Sequence, residues 1–134
     1  MRRTIAILAV CGIVLSSVTC SPLTSPLDLI GTYALRTVNG GSMPYTLSQQ
    51  GSTTVLVLDD TFTLTSSGAY SELGHEQVTS GGVVSVSVLI DAGTFTRKNT
   101  DVMLNSTLFG ARPASVKGGR LTIVQNGLTL VYQM

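Results

Sequence analysis

With 134 residues, of which the apolar run Ile5 to Leu15 reads as removable, the chain has material for one domain with one modest core, which excludes a multidomain machine. Charged residues make up only 11% and hydrophobic residues 43%, the opposite of the balance that keeps a chain disordered. The formal net charge of +1 becomes −1 once Arg2 and Arg3 leave with the leader, so the chain lacks the electrostatic footprint of a nucleic-acid binder.

Arg2-Arg3, the apolar stretch from Ile5 to Leu15 and Ser16-Ser17-Val18-Thr19 follow one another as the three regions of an export signal, residues 1–19. The stretch is too short to span a bilayer, which takes about 20 apolar residues. Cys11 fills the apolar region, Cys20 stands at its end, and no cysteine follows, so the mature domain cannot close a disulfide. Cys20 resembles the lipidated cysteine of bacterial lipoproteins, with Ser17 and Thr19 in the places where that family has Leu and a smaller residue. The resemblance implies a membrane anchor at Cys20, and Ser21 after it resembles the pattern of proteins sorted to an outer membrane. Simple cleavage near Thr19 would instead give a periplasmic or secreted protein. Residues 20–28, with Pro22 and Pro26 among Ser and Thr, read as an extended tether, leaving 29–134 as the domain.

From Leu29 the writing is all-β. Thr, Val and Ser supply 48 of 134 residues, and short runs are punctuated by Gly, Asn and Asp. Alternation predicts strands over Gly31 to Val38, Thr53 to Asp59, Thr61 to Thr65, Ala69 to Leu73, Val83 to Ile90, Thr94 to Lys98, Val102 to Leu108, Ala114 to Lys117, Arg120 to Gln125 and Leu128 to Gln133, some of which should merge. A helical turn is expected over Thr46 to Gln50. The clearest period of two sets Val84, Val86, Val88 and Ile90 against Ser85 and Ser87, which predicts a valine face in the core and a serine face in water. A second sets Val102, Leu104 and Leu108 against Asn105 and Thr107. Gly118-Gly119 and Asn126-Gly127 are two-residue hairpin turns, so the C-terminus is a tight antiparallel meander. Asn39-Gly40-Gly41, Ser80-Gly81-Gly82 and Asp91-Ala92-Gly93 supply looser turns. About eight strands in sequence order suit an up-and-down barrel, which removes exposed edges by closure, with a twisted open sheet or a small sandwich as the alternatives.

Leu29-Ile30-Gly31-Thr32-Tyr33-Ala34-Leu35, with Val38-Asn39-Gly40 and Pro44 after it, resembles the opening of small bacterial lipocalin-like domains, in which Gly-x-Trp starts the first strand. Asp60-Thr61-Phe62-Thr63-Leu64 and Gly93-Thr94-Phe95 are similar to the later strand starts of those domains. Tyr33 stands where the family has Trp, and Gln133-Met134 where it often has a basic residue. The same opening resembles META-type envelope domains. The lipocalin-like resemblance implies a monomeric barrel holding a small hydrophobic ligand, with Tyr33, Phe62 and Phe95 as candidate contacts. The same aromatics also suit a filled core, which would make the protein a structural or interaction domain of the envelope without a ligand.

Chemistry-bearing residues are sparse. His75, the only histidine, lies in Glu72-Leu73-Gly74-His75-Glu76, where it could act as a base or one metal ligand, but no second histidine or domain cysteine completes a zinc set. It reads more simply as an exposed loop histidine beside solvating glutamates. Asp59-Asp60 reads as an acidic turn without the spacing of a calcium loop. No nucleophile elbow, phosphate loop or dinucleotide fingerprint is present. The expectation is therefore a binding module without catalytic residues, metal or cofactor.

Overall fold

Two-residue turns with positive φ organise the domain: Asn39-Gly40, Gly81-Gly82, Gly118-Gly119 and Asn126-Gly127 each place both residues in the left-handed region, matching the twist of the strands they join. A computed structural model describes residues 29–134. The described residues form ten strands: β1 (Gly31–Val38), β2 (Gly41–Ser42), β3 (Tyr45–Gln50), β4 (Thr53–Leu64), β5 (Ala69–Ser80), β6 (Val83–Lys98), β7 (Asp101–Ser106), β8 (Gly110–Lys117), β9 (Arg120–Gln125) and β10 (Leu128–Gln133). From β4 to β10 each strand pairs antiparallel with the next. β1 then closes the ring, pairing with β10 on one edge and with Thr61–Leu64 of β4 on the other. The result is a closed, antiparallel eight-stranded barrel, the lipocalin-like architecture expected.

The interior is filled from the end where β1 meets β4. Tyr33, Phe62, Leu64, Leu104, Leu121, Ile123 and Tyr132 are fully buried there, each full burial of an apolar side chain contributing roughly 1.5–3 kcal/mol. Phe62 stacks on Tyr70 at 5.1 Å between centroids and meets the edge of Tyr132 at 5.4 Å. The Tyr33 hydroxyl donates to the Leu29 carbonyl at 2.7 Å, tying down the residues that enter β1. Gly93 faces this interior. A Cβ there would lie 2.0 Å from the Asn105 carbonyl oxygen and 2.9 Å from Tyr70, so this glycine serves close approach and not a turn.

Several elements differ from the sequence expectation. The strands expected over Thr53 to Asp59 and Thr61 to Thr65 merge into one, β4, which ends at Leu64 and whose pairing with β5 is offset between Val57 and Asp59. Asp91-Ala92-Gly93 is continuous strand within β6, and β5 runs on from Leu73 to Ser80. Thr46 to Gln50 is strand β3 instead of a helical turn, because it zips onto the far half of β4. Val102 and Leu104 are buried as expected, while Leu108 lies past the end of β7 and is exposed.

The valine face of β6 is the largest correction. Val84, Val86, Val88 and Ile90 are 55–69% exposed. The inward phase of β6 is set further along, where Asp91 is buried and Phe95 packs against the core, and a period of two carries that phase back to Leu89, Ser87 and Ser85. At 16 residues, or about 50 Å at ~3.3 Å per residue, β6 also outruns the barrel wall. Its first half joins the far halves of β4 and β5, with β3, in a four-stranded arm beyond the barrel end. β6 meets β7 only from Gly93 onward, so no strand pairs with the outer edge of Val83 to Ile90 among the described residues.

Candidate functional site

The junction between barrel and arm is built by an extra residue. At Leu58 one residue of β4 has no opposite number on β5, which reverses the phase of side chains along the strand. On the barrel side Asp60, Phe62 and Leu64 point inward. On the arm side the inward phase passes to Val57, opposite Glu76. Asp59 is turned outward beside His75, whose Nδ1 lies 2.6 Å from the Asp59 carboxylate in a half-exposed pair. His75 is therefore a strand residue engaged with Asp59 and not a loop residue among glutamates.

Beneath this junction lies a buried polar layer. Arg112 of β8, 2% exposed, donates through Nη2 to Glu72 at 2.7 Å, Asp91 at 3.0 Å and the Tyr70 hydroxyl at 3.2 Å, and through Nη1 to Gln125 at 3.0 Å. Its guanidinium lies over the rings of Phe62 and Phe109 at 5.2 and 5.0 Å. Asp91 also accepts from Tyr70, Ser106 and Thr107 and from the Leu108 amide. Burial pushes the Asp91 carboxyl up, but these donors outweigh burial and hold it below the usual range. Burial likewise works against the charge of Arg112, and its hydrogen bonds to Glu72 and Tyr70 more than offset that.

Two atoms of this layer have no hydrogen-bond partner among the described residues, Arg112 Nε and Asp60 Oδ1. The other carboxyl oxygen of Asp60, Oδ2, accepts from the Tyr132 hydroxyl at 2.8 Å. Burial, and then the neighbouring Glu72 carboxylate, push its pKa up to about 8. Both causes favour the protonated form of Asp60. Tyr132 is pushed well up by burial and by the same two carboxyls.

Above the layer, where the arm leaves the barrel, a cavity of about 390 Å³ opens. Leu35, Leu47, Val57, Leu89, Phe109, Leu128 and Leu130 give it apolar walls, and the otherwise exposed Val88 also contributes. Asp60, Glu72, Gly74 and Glu76 contribute to its lining, as do Asp59 and His75. Such a volume is in the range of small-molecule sites. Among the described residues no three His, Cys, Asp or Glu side chains gather as metal ligands, and no helix is long and apolar enough to cross a membrane.

Of the residues singled out from sequence, Cys20 lies outside the described residues. Tyr33 and Phe62 are fully buried in the filled part of the barrel, and Phe95 is half-buried against the same core. None of the three lines the cavity. Asp60, Glu72, Asp91 and Arg112 were not singled out together. Their signal was phase: Asp60 is two residues from Phe62, Glu72 two from Tyr70, and Arg112 shares the inward phase of Val116. No protein-family model, curated protein or solved structure matches the chain.

Proposed function

We propose that this protein is a lipid-anchored envelope protein that binds a small hydrophobic ligand in the open end of its barrel. The observation that carries the ligand is the cavity: eight apolar side chains around about 390 Å³, with a polar floor, at one end of a barrel filled at the other. The export signal, Cys20 and the cysteine-free domain support the anchor, and the closed antiparallel barrel supports a lipocalin-like relationship. Catalysis has less support, because the only histidine is occupied with Asp59 at the protein surface.

A titration with a hydrophobic reporter dye tests the ligand. Binding should saturate at one dye per chain, and Val57→Trp, which fills the cavity, should abolish it without lowering the melting temperature. Saturating ligand should also stabilise the fold, by about 2.7 kcal/mol at a hundredfold excess over Kd. Absence of both binding and thermal shift would favour an envelope interaction domain, for which the unpaired edge of Val83 to Ile90 is the supporting observation. Mass spectrometry of the native protein tests the anchor, and an unacylated N-terminus at Cys20 or Ser21 would remove it.

A further inference from the structure

The ionisable groups that line the cavity are almost all of one sign. Asp59, Asp60, Glu72 and Glu76 contribute to it, no Lys or Arg among the described residues does, and His75 is already engaged by Asp59. The nearest cation, Arg112, stands behind Glu72 with both terminal nitrogens bonded to Glu72, Asp91, Tyr70 and Gln125, leaving only a buried Nε without a partner among the described residues. Asp60, only 8% exposed, carries an oxygen, Oδ1, with no hydrogen-bond partner of good geometry among the described residues, beside the Glu72 carboxyl. Gly74 stands opposite Asp60 in the β4–β5 ladder, where even a Cβ would lie 3.4 Å from the Asp60 carboxyl carbon. Glycine at this position puts no side chain over the carboxyl from that side, although Oδ1 itself is closed to solvent.

We infer that the cavity selects amphiphiles with a protonated amine head group, the ammonium seated at Asp60 beside Glu72 and Glu76 and the apolar body among Leu35, Val57, Leu89, Leu128 and Leu130. This deepens the ligand-binding reading and rests on it. An ammonium supplies three donors to carboxyl oxygens and the positive charge that two adjacent carboxylates require. It takes over the task of the proton that Asp60 holds in the free protein. Binding therefore releases a proton, and affinity rises with pH through neutrality until Asp60 is ionised in the free state. The groups around Asp60 are Glu72 and Glu76 on β5, Tyr132 on β10, Arg112 on β8 and Asp91 on β6, with the Asp59–His75 pair at the rim. A carboxylate ligand would meet the same acidic floor as repulsion.

Calorimetric titration of the full chain with decylamine, decanol and decanoate, each below its micelle-forming concentration, tests this at pH 7. Decylamine should occupy one site about tenfold or more tighter than decanol, and decanoate should bind weakest. Repeating the titration in buffers of different ionisation enthalpy should show close to one proton released per amine. Asp60→Asn should lose about tenfold in amine affinity and the proton release, while keeping its decanol affinity. Should Asp60→Asn fail to fold, Glu76→Gln at the cavity mouth decides, with a several-fold loss confined to the amine. Equal binding of decanoate and decylamine, or amine affinity unmoved in the folded variants, overturns the selectivity and leaves the cavity reading standing on decanol. Failure of all three ligands to bind overturns both.

Discussion

The same three strands, β4, β5 and β6, pass through two regions with opposite physics. In the barrel, every inward side chain meets an opposing wall: Phe62 reaches Tyr70 and Tyr132, and Arg112 bridges from β8 to carboxylates on β5 and β6. In the arm the same strands have neighbours in the sheet but no opposing wall among the described residues, so Val84, Val86 and Val88 lie open although they alternate as regularly as any core strand. Alternation marks two faces of a strand; only closure of the sheet decides which face is inside. The cavity sits where one regime gives way to the other, and the unpaired Leu58 of β4 makes the change of phase.

The largest expected effect separates the two regions directly. Arg112→Ala removes the only cation, among the described residues, from a layer containing Glu72 and Asp91, leaving two buried carboxylates uncompensated, and should destabilise by about 3–5 kcal/mol. Urea or thermal unfolding would measure it. A loss below about 1 kcal/mol would mean that water reaches the layer and that the filled half of the barrel is less closed than its side chains make it.

A second effect lies at the boundary and is read by pH. Asp60 has its pKa raised from 3.8 to about 8 on folding, so the folded state binds more protons than the unfolded state across that window. Its contribution is fully present below the unfolded value and is lost as pH rises toward about 8. Asp91, held below 3.8, acts in the other direction and in a separate window: its contribution is present above that value and fades as pH falls through its folded one. Stability should therefore be greatest on the acid side of neutrality and fall by about 2–3 kcal/mol or more toward pH 8, each pKa unit being worth about 1.4 kcal/mol. Asp60→Asn should flatten that decline and leave the loss at low pH in place. A decline of the same size in the variant would assign it to other groups.

Much of the barrel was legible in the sequence because turn chemistry is local. Gly118-Gly119 and Asn126-Gly127 fix Lys117 opposite Arg120 and Gln125 opposite Leu128, and those registers place Leu121, Ile123 and Tyr132 inside. The site was legible only in pieces. Asp59-Asp60 looks like an acidic turn until the bulge at Leu58 shows that one carboxylate faces out to His75 and the other in to Tyr132. The face of β6 could not be read from its valines, since its phase is set by Asp91, whose burial depends on partners 15 to 21 residues away in the chain: Ser106, Thr107, Tyr70 and Arg112. A buried charge gives a weak sequence signal because what makes it tolerable is non-local.

The smallest expected effect on stability tests the arm. Val86 is 57% exposed on the outward face, near the middle of a strand edge that pairs with nothing among the described residues. From Gln77 to Ile90 the chain carries no charge and no proline, so the edge lacks the devices that usually prevent edge-to-edge pairing. Val86→Lys should change unfolding free energy by no more than about 0.5 kcal/mol, because no buried contact is lost and a lysine at that position reaches water. Its effect should appear in association instead. Sedimentation velocity over a concentration series should show reversible self-association of the parent chain through this edge, and its loss in Val86→Lys, where two antiparallel copies would bring lysines close together. A stability cost above about 2 kcal/mol would show that the outward face is covered in the folded protein, and the contrast between filled barrel and open arm would fail at its simplest point.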